Sequence, residues 1–270
     1  MNKNGTPLAR PLRAWFIVEV FFGLGAISAV GLNPANTREN FAWPIEPAVM
    51  AAVLGAFYIA SALLFLLPLF ARRWEMIRVM ILPAALFSTV QLLATFLHWD
   101  KFSVGTLPFY VWFASYLLPP PIFIGAYVWH QRRAGSAPTG QPLPQRLRQL
   151  LLILGGVLSI GAMLTFVFPE WLIASFAWNL TPLTTRSLCG WLIAVGTLMA
   201  SMAREDDRAR VRLATPTLIL ILPLLVIQMA RFADQVNWGN LSLWLGLAIF
   251  AVASLCGLVL ARGNWQETLS

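Results

Sequence analysis

The chain has 270 residues, of which 59% are hydrophobic and only 11% charged, whereas about a quarter are charged in an ordinary soluble domain. Mean hydropathy is +0.72, and apolar runs of about 20 residues, each long enough to cross a bilayer core, recur from end to end. This excludes a soluble globular domain, and the net charge of +8 has no separate folded basic surface through which to serve nucleic acid.

The runs predict eight transmembrane helices, at roughly 14–32, 47–70, 76–98, 108–130, 149–168, 183–203, 213–233 and 240–261,. Short loops set the orientation, because Lys and Arg are retained on the cytoplasmic side. With the amino terminus inside, the inner segments hold fifteen of the nineteen basic residues, and the outer ones hold only Arg38, Lys101, Arg186 and Arg231. Both termini are therefore expected in the cytoplasm, and the basic collar suits anionic lipid headgroups. Trp15, Trp74, Trp129 and Trp265 fall at inner boundaries, while Trp43, Trp99, Trp112, Trp171, Trp178, Trp238 and Trp244 fall at or near outer ones. These read as interfacial anchors, and Trp191 alone sits well within a span.

Helix one carries Glu19, the single acidic residue well inside a span. It lies about 8 Å beyond the expected inner boundary at 1.5 Å per residue. An intramembrane carboxyl is expensive and marks a binding or proton-coupled site by default, although a neutral, hydrogen-bonded structural Glu fits the position too. The basic start before this helix imitates a signal peptide, but the repeat described below makes it a permanent helix. Helix three closes on His98 and Asp100. Helix four holds Pro119, Pro120 and Pro121 near its centre. They deprive the carbonyls of Ser115, Tyr116 and Leu117 of their usual amide partners, so a kink confined to this helix is expected. Those carbonyls should turn inward, with Ser115 and Tyr116 compensating them or lining a site.

Residues 131–147 read as a polar, poorly ordered cytoplasmic linker rich in Gly and Pro,. The densest charge cluster, Arg204 to Arg210, reads as a self-neutralising solvated loop. Helix seven ends with Arg231 and Asp234, three residues apart, a spacing that allows a helix-end ion pair. An outer-face site of His98, Asp100, Arg231 and Asp234 is conceivable, against simple capping of helix ends. Gly25 and Ala29, Ala51 and Gly55, Gly155 and Ser159, Gly190 and Ala194, and Gly196 and Ala200 are each four apart, the spacing that lets membrane helices approach closely. Cys189 and Cys256 lie in apolar spans without disulfide or metal spacing,.

The chain also repeats itself. Phe41-Ala42-Trp43-Pro44-Ile45-Glu46-Pro47 returns as Phe176-Ala177-Trp178-Asn179-Leu180-Thr181-Pro182, four of seven positions being identical. The same offset of 135 pairs Leu12-Arg13 with Leu147-Arg148, Pro34 with Pro169, Gly55 with Gly190 and Arg73 with Arg208. One deletion later, at 134, it pairs Arg78 with Arg212, Asp100 with Asp234 and Leu107 with Leu241. The expected architecture is an all-α membrane protein built as a tandem duplication: a four-helix unit over 1–130, the linker, and a second unit over 148–270,. With four spans per unit, the two copies should be related by a pseudo-twofold axis along the membrane normal.

FAWPIEP, followed by LGAFY and by LLATFLHWDKF at the end of helix three, resembles uncharacterised bacterial multi-pass integral membrane proteins. The resemblance covers mainly the first unit; it implies a bacterial plasma membrane location and carries no activity. No nucleophile, metal or phosphate-binding constellation is present,, and no cofactor is implied. A carrier or binding protein for a small or amphipathic molecule, with its site between the two units, is the favoured expectation. A non-catalytic scaffold or accessory subunit is the alternative.

Overall fold

Backbone that crosses hydrocarbon has no water to satisfy its amides, so each apolar run must close its own hydrogen bonds as a helix. The computed structural model describes residues 5–134 and 140–262, and these form helices and no β-strand. Eight helices are long and apolar enough to span a membrane. They are α1 (Arg10–Leu32), α2 (Ala48–Leu69), α3 (Arg78–Leu97), α4 (Leu107–Gln131), α5 (Gln145–Val167), α6 (Pro182–Glu205), α7 (Arg208–Ala230) and α8 (Leu241–Ala261). Their starts carry local signals: Thr106 and Asn240 accept from the amides of Phe109 and Leu243, and Thr181 and Thr184 form a reciprocal capping box,.

Helices α2, α3, α6 and α7 are the most buried and form the centre of the bundle, while α1, α4, α5 and α8 flank it. Sequential helices pair as α1 with α2, α3 with α4, α5 with α6 and α7 with α8. Across the bundle α3 packs on α6 and α2 on α7. Glycine permits the closest of these approaches. A Cβ at Gly196 would lie 2.7 Å from the Gly155 carbonyl oxygen, and one at Gly55 would lie 2.7 Å from the Gly31 amide nitrogen. Side-chain amides join the helices as well: Gln91 on α3 donates to the Ser187 carbonyl on α6, and Gln228 on α7 to that of Gly31 on α1.

At the end of the bundle where α1 begins, Trp74 N donates to Thr6 O at 2.8 Å and Arg208 N to Gln141 O at 2.9 Å. At the opposite end Ser103 N donates to Ala42 O at 2.9 Å and Asn237 N to Ala177 O at 2.8 Å. After Pro34 and Pro169 the chain makes short helical turns, Pro34–Asn36 with Thr37–Asn40 and Glu170–Ile173.

Three sequence expectations need correction. The Arg204 to Arg210 cluster is self-neutralising but solvated only in part: Arg204 is exposed, whereas Glu205 bridges Arg78 at 2.6 Å and Arg210 at 3.0 Å, and Asp207 is 1% exposed. Asp207 caps the Arg208–Val211 turn and accepts from Gly140 N, so the charges tie α3, α6 and the linker together. The linker is consequently pinned from Gly140 onward, with Leu143 N and Arg148 both bonded to Asp206; its 135–139 stretch lies outside the described residues. Nor are all the tryptophans interfacial. Trp99, Trp129, Trp171, Trp238 and Trp244 are exposed, whereas Trp43, Trp74, Trp112 and Trp178 are buried; Trp265 lies outside the described residues. Trp43 packs within an aromatic cluster with Phe41, Phe102 and Trp112.

Helix α4 is interrupted at Leu118, between Leu107–Leu117 and Pro119–Gln131, while α8 runs unbroken. Ser115 and Tyr116 do not repair the break. The Ser115 hydroxyl donates back to the Trp112 carbonyl at 2.8 Å, and the Tyr116 hydroxyl is engaged with Tyr58. Helix α1 shows an irregularity of its own, a π-helical last turn over Ile27–Leu32.

A candidate binding cavity between α1 and α4

The flanking helices α1 and α4 touch each other only lightly, and the gap between them opens into a cavity of about 240 Å³. Its walls follow from helical spacing. Glu19, Phe22, Gly23, Ala26 and Ala29 form one face of α1; Tyr58, Ser61, Ala62 and Phe65 one face of α2; Pro108, Val111, Trp112, Ser115 and Tyr116 one face of α4,. Phe87 and Ser88 of α3 and Trp191 of α6 close the inner wall, and Asn40 and Phe41 close the end opposite the start of α1. Gly25, Leu107 and Val111 are exposed at the mouth, so the opening is lateral, onto the surface that hydrocarbon would cover.

Glu19 is 7% exposed; its Oε1 and the Trp15 indole nitrogen one turn earlier both lack a hydrogen bond of ordinary geometry, although Trp15 stands near enough to donate to the carboxyl. Because α1 begins at Arg10, Glu19 lies about 13 Å along the helix from its first residue. Beside it on the cavity wall, the Tyr58 and Tyr116 hydroxyls meet at 2.5 Å. The serines spend their protons on their own helices: Ser61 on the Tyr58 carbonyl, Ser88 on that of Ala84, and Ser115 on that of Trp112. Their oxygens keep accepting capacity for a guest. None of the lining residues is Lys, Arg or His.

Trp191 also lines the cavity, which sequence reasoning did not foresee. Its ring lies 4.0 Å from that of Phe87 and 4.8 Å from that of Tyr58, centroid to centroid, and its indole nitrogen has no partner. Being the one Trp well inside a span was the available signal. Through it the second half of the chain contributes to a cavity that otherwise belongs to α1–α4, while a smaller space of about 40 Å³ lies between the two halves, among Phe57, Pro83, Phe87, Trp191, Thr217 and Ile221.

A second cavity of about 330 Å³ lies among α5, α6, α7 and α8, lined by carbon from Leu158, Leu192, Leu225, Ile249 and Phe250, with α2 contributing Phe57.

The outer-face quartet expected from sequence does not assemble through hydrogen bonds or ion pairs among the described residues. His98 Nε2 meets Arg186 Nη1 at 2.7 Å, and Asp100 pairs with Lys101 at 2.7 Å. Burial, and then the Arg186 charge, hold the His98 imidazole below its ordinary pKa. The exposed Asp100 is held low chiefly by its hydrogen bond from Lys101. Arg231 donates to the carbonyls of Gly31 and Leu32 and to Gln228, binding α7 to the end of α1 instead of pairing with Asp234. Asp234 borders a shallow groove beside Pro47 and Trp178.

No cluster of three or more His, Cys, Asp or Glu able to hold a metal occurs among the described residues. Compared with protein families, curated proteins and solved structures, the chain matches none of them.

Proposed function

We propose that this multi-pass protein binds a small or amphipathic molecule in the α1–α4 cavity and carries it within or across the membrane. The observation that carries the reading is Glu19: a buried carboxyl oxygen without a partner, on the wall of a laterally open cavity. Burying a polar group unbonded costs roughly 2–7 kcal/mol, of which the neighbouring Trp15 indole returns at most a part. A scaffold would instead be expected to bury Glu19 in packed protein or to satisfy it.

The same reading takes the chain as a duplicated four-helix unit with an approximate twofold along the bundle axis. Two pairs of backbone hydrogen bonds support it, Thr6–Trp74 with Gln141–Arg208 and Ala42–Ser103 with Ala177–Asn237. Their members stand at the offsets of 135 and 134 found in the sequence. The reciprocal packing of α3 on α6 and α2 on α7 supports it as well. A bacterial plasma membrane location with both termini in the cytoplasm completes the proposal, supported by the basic residues of the short loops,. Their collar would meet anionic lipid headgroups.

The test is native mass spectrometry of the full chain released gently from detergent, beside a Gly25→Trp variant. A Cβ at Gly25 meets nothing within 4 Å, so the indole fits at the mouth and should block it. A small molecule retained by the wild type and lost from the variant is the expected result. A wild type that retains nothing, or a variant that retains the same molecule equally, would overturn the proposal.

A further inference from the structure

We infer that the ligand is an amphipathic organic ammonium ion whose charged nitrogen sits at Glu19 while its apolar chain leaves toward the lipid between α1 and α4. This rests on the cavity being a binding site, and it adds the chemistry of the guest.

The polar lining is biased toward acceptors. Glu19 Oε1 is unpartnered, and the hydroxyl oxygens of Ser61, Ser88 and Ser115 have given their protons to backbone carbonyls. The donors left are the Asn40 side-chain amide at the far end, the Trp191 indole and the one proton that the Tyr58–Tyr116 pair does not use internally. With no basic side chain on the wall, an anionic guest would meet Glu19 without a counter-charge. A cation finds a carboxylate and π faces together, since Phe87, Trp112 and Trp191 line the same space,.

The polar groups are not needed to hold such a unit together. At the offsets of the repeat, Glu19 corresponds to Leu154, Tyr58 to Ile193, Ser115 to Ile249 and Tyr116 to Phe250. The second half folds around a cavity of comparable size, and of these four apolar residues Ile249 and Phe250 line it. The contrast assigns the polar set of the first cavity to its contents.

The experiment is isothermal titration of the full chain in neutral detergent micelles with three eight-carbon probes, octylammonium, octanol and octanesulfonate, each against empty micelles. Octylammonium should bind best and octanesulfonate not at all. Glu19→Gln should weaken octylammonium at least about tenfold, the loss of a buried charge partner, while leaving octanol unchanged. Gly25→Trp should block every probe that binds.

Octanol or octanesulfonate binding as tightly as octylammonium, or Glu19→Gln without effect on it, overturns the ammonium assignment. If Gly25→Trp still blocks those probes, the cavity reading survives that result. A wild type that binds none of the three, with no retained molecule in mass spectrometry, sinks both. Should Glu19→Gln fail to fold, the selectivity of the wild type among the three probes decides alone.

Discussion

The helix packing around the cavity makes a demand at Gly55. An alanine there would put its Cβ 2.7 Å from both the Gly31 nitrogen and the Val30 carbonyl oxygen. Ordinary carbon contacts lie at about 3.5–4.0 Å, so α1 and α2 would have to part by roughly 1 Å. The obstacle is backbone, which cannot swing away as a side-chain tip would. Gly31 is also the place where α7 grips α1, its carbonyl accepting from Gln228 and Arg231, so the shift strains those bonds too. Overpacking of this kind costs about 1–3 kcal/mol, of which the better helix propensity of Ala returns at most about 1 kcal/mol. A net loss of about 1–2 kcal/mol corresponds to a fall in Tm of roughly 2–8 °C for a chain of this size. The assay is thermal unfolding of the purified full chain followed by tryptophan fluorescence, with Gly25→Ala as control because its Cβ would enter open space. If Gly55→Ala melts at or above the wild-type temperature, or no lower than Gly25→Ala, the close contact of α1 with α2 is not as described.

Two further outcomes are expected away from the cavity. Glu205→Gln removes the carboxylate that Arg78 meets at 2.6 Å; stranding that partly buried guanidinium should cost about 3 kcal/mol or more, read as a lower Tm, and an unchanged melt would return the cluster to solvent. His98 should titrate below 6.5, its ordinary value, because it is partly buried and faces Arg186. The unfolded chain then binds the proton first, so the contribution of His98 to stability is present above pH 6.5 and is lost as pH falls below it,. Imidazole NMR of the folded protein checks the value, and Arg186→Gln should raise it; a titration at or above 6.5 would show that the Arg186 contact does not persist.

Composition and local pattern decided a good deal of this protein. Apolar runs bounded by Arg, Pro and capping Thr or Asn specify eight helices within a few residues of their observed ends, because a helix satisfies its backbone from its own segment. Small residues four apart marked Gly155 with Ser159 on α5 and Gly196 on α6, which do approach backbone to backbone. Glu19 stood out for a similarly local reason, since a carboxyl inside an apolar run is costly wherever the helix goes.

What no local pattern carries is which faces meet. Helical spacing cannot say that α3 lies on α6 or that Trp191, from the other half of the chain, closes the cavity wall beside Tyr58 and Phe87. Nor could it say that Glu205 reaches back 127 residues to Arg78, so a cluster that balances its own charge in sequence looked solvated. Trp43 and Trp112 bear the marks of headgroup anchors, yet the outer connections fold inward over them and bury both rings. Contacts between distant segments depend on the joint packing of all eight helices, and there alone the cavity acquires its lateral opening and its unpaired acid.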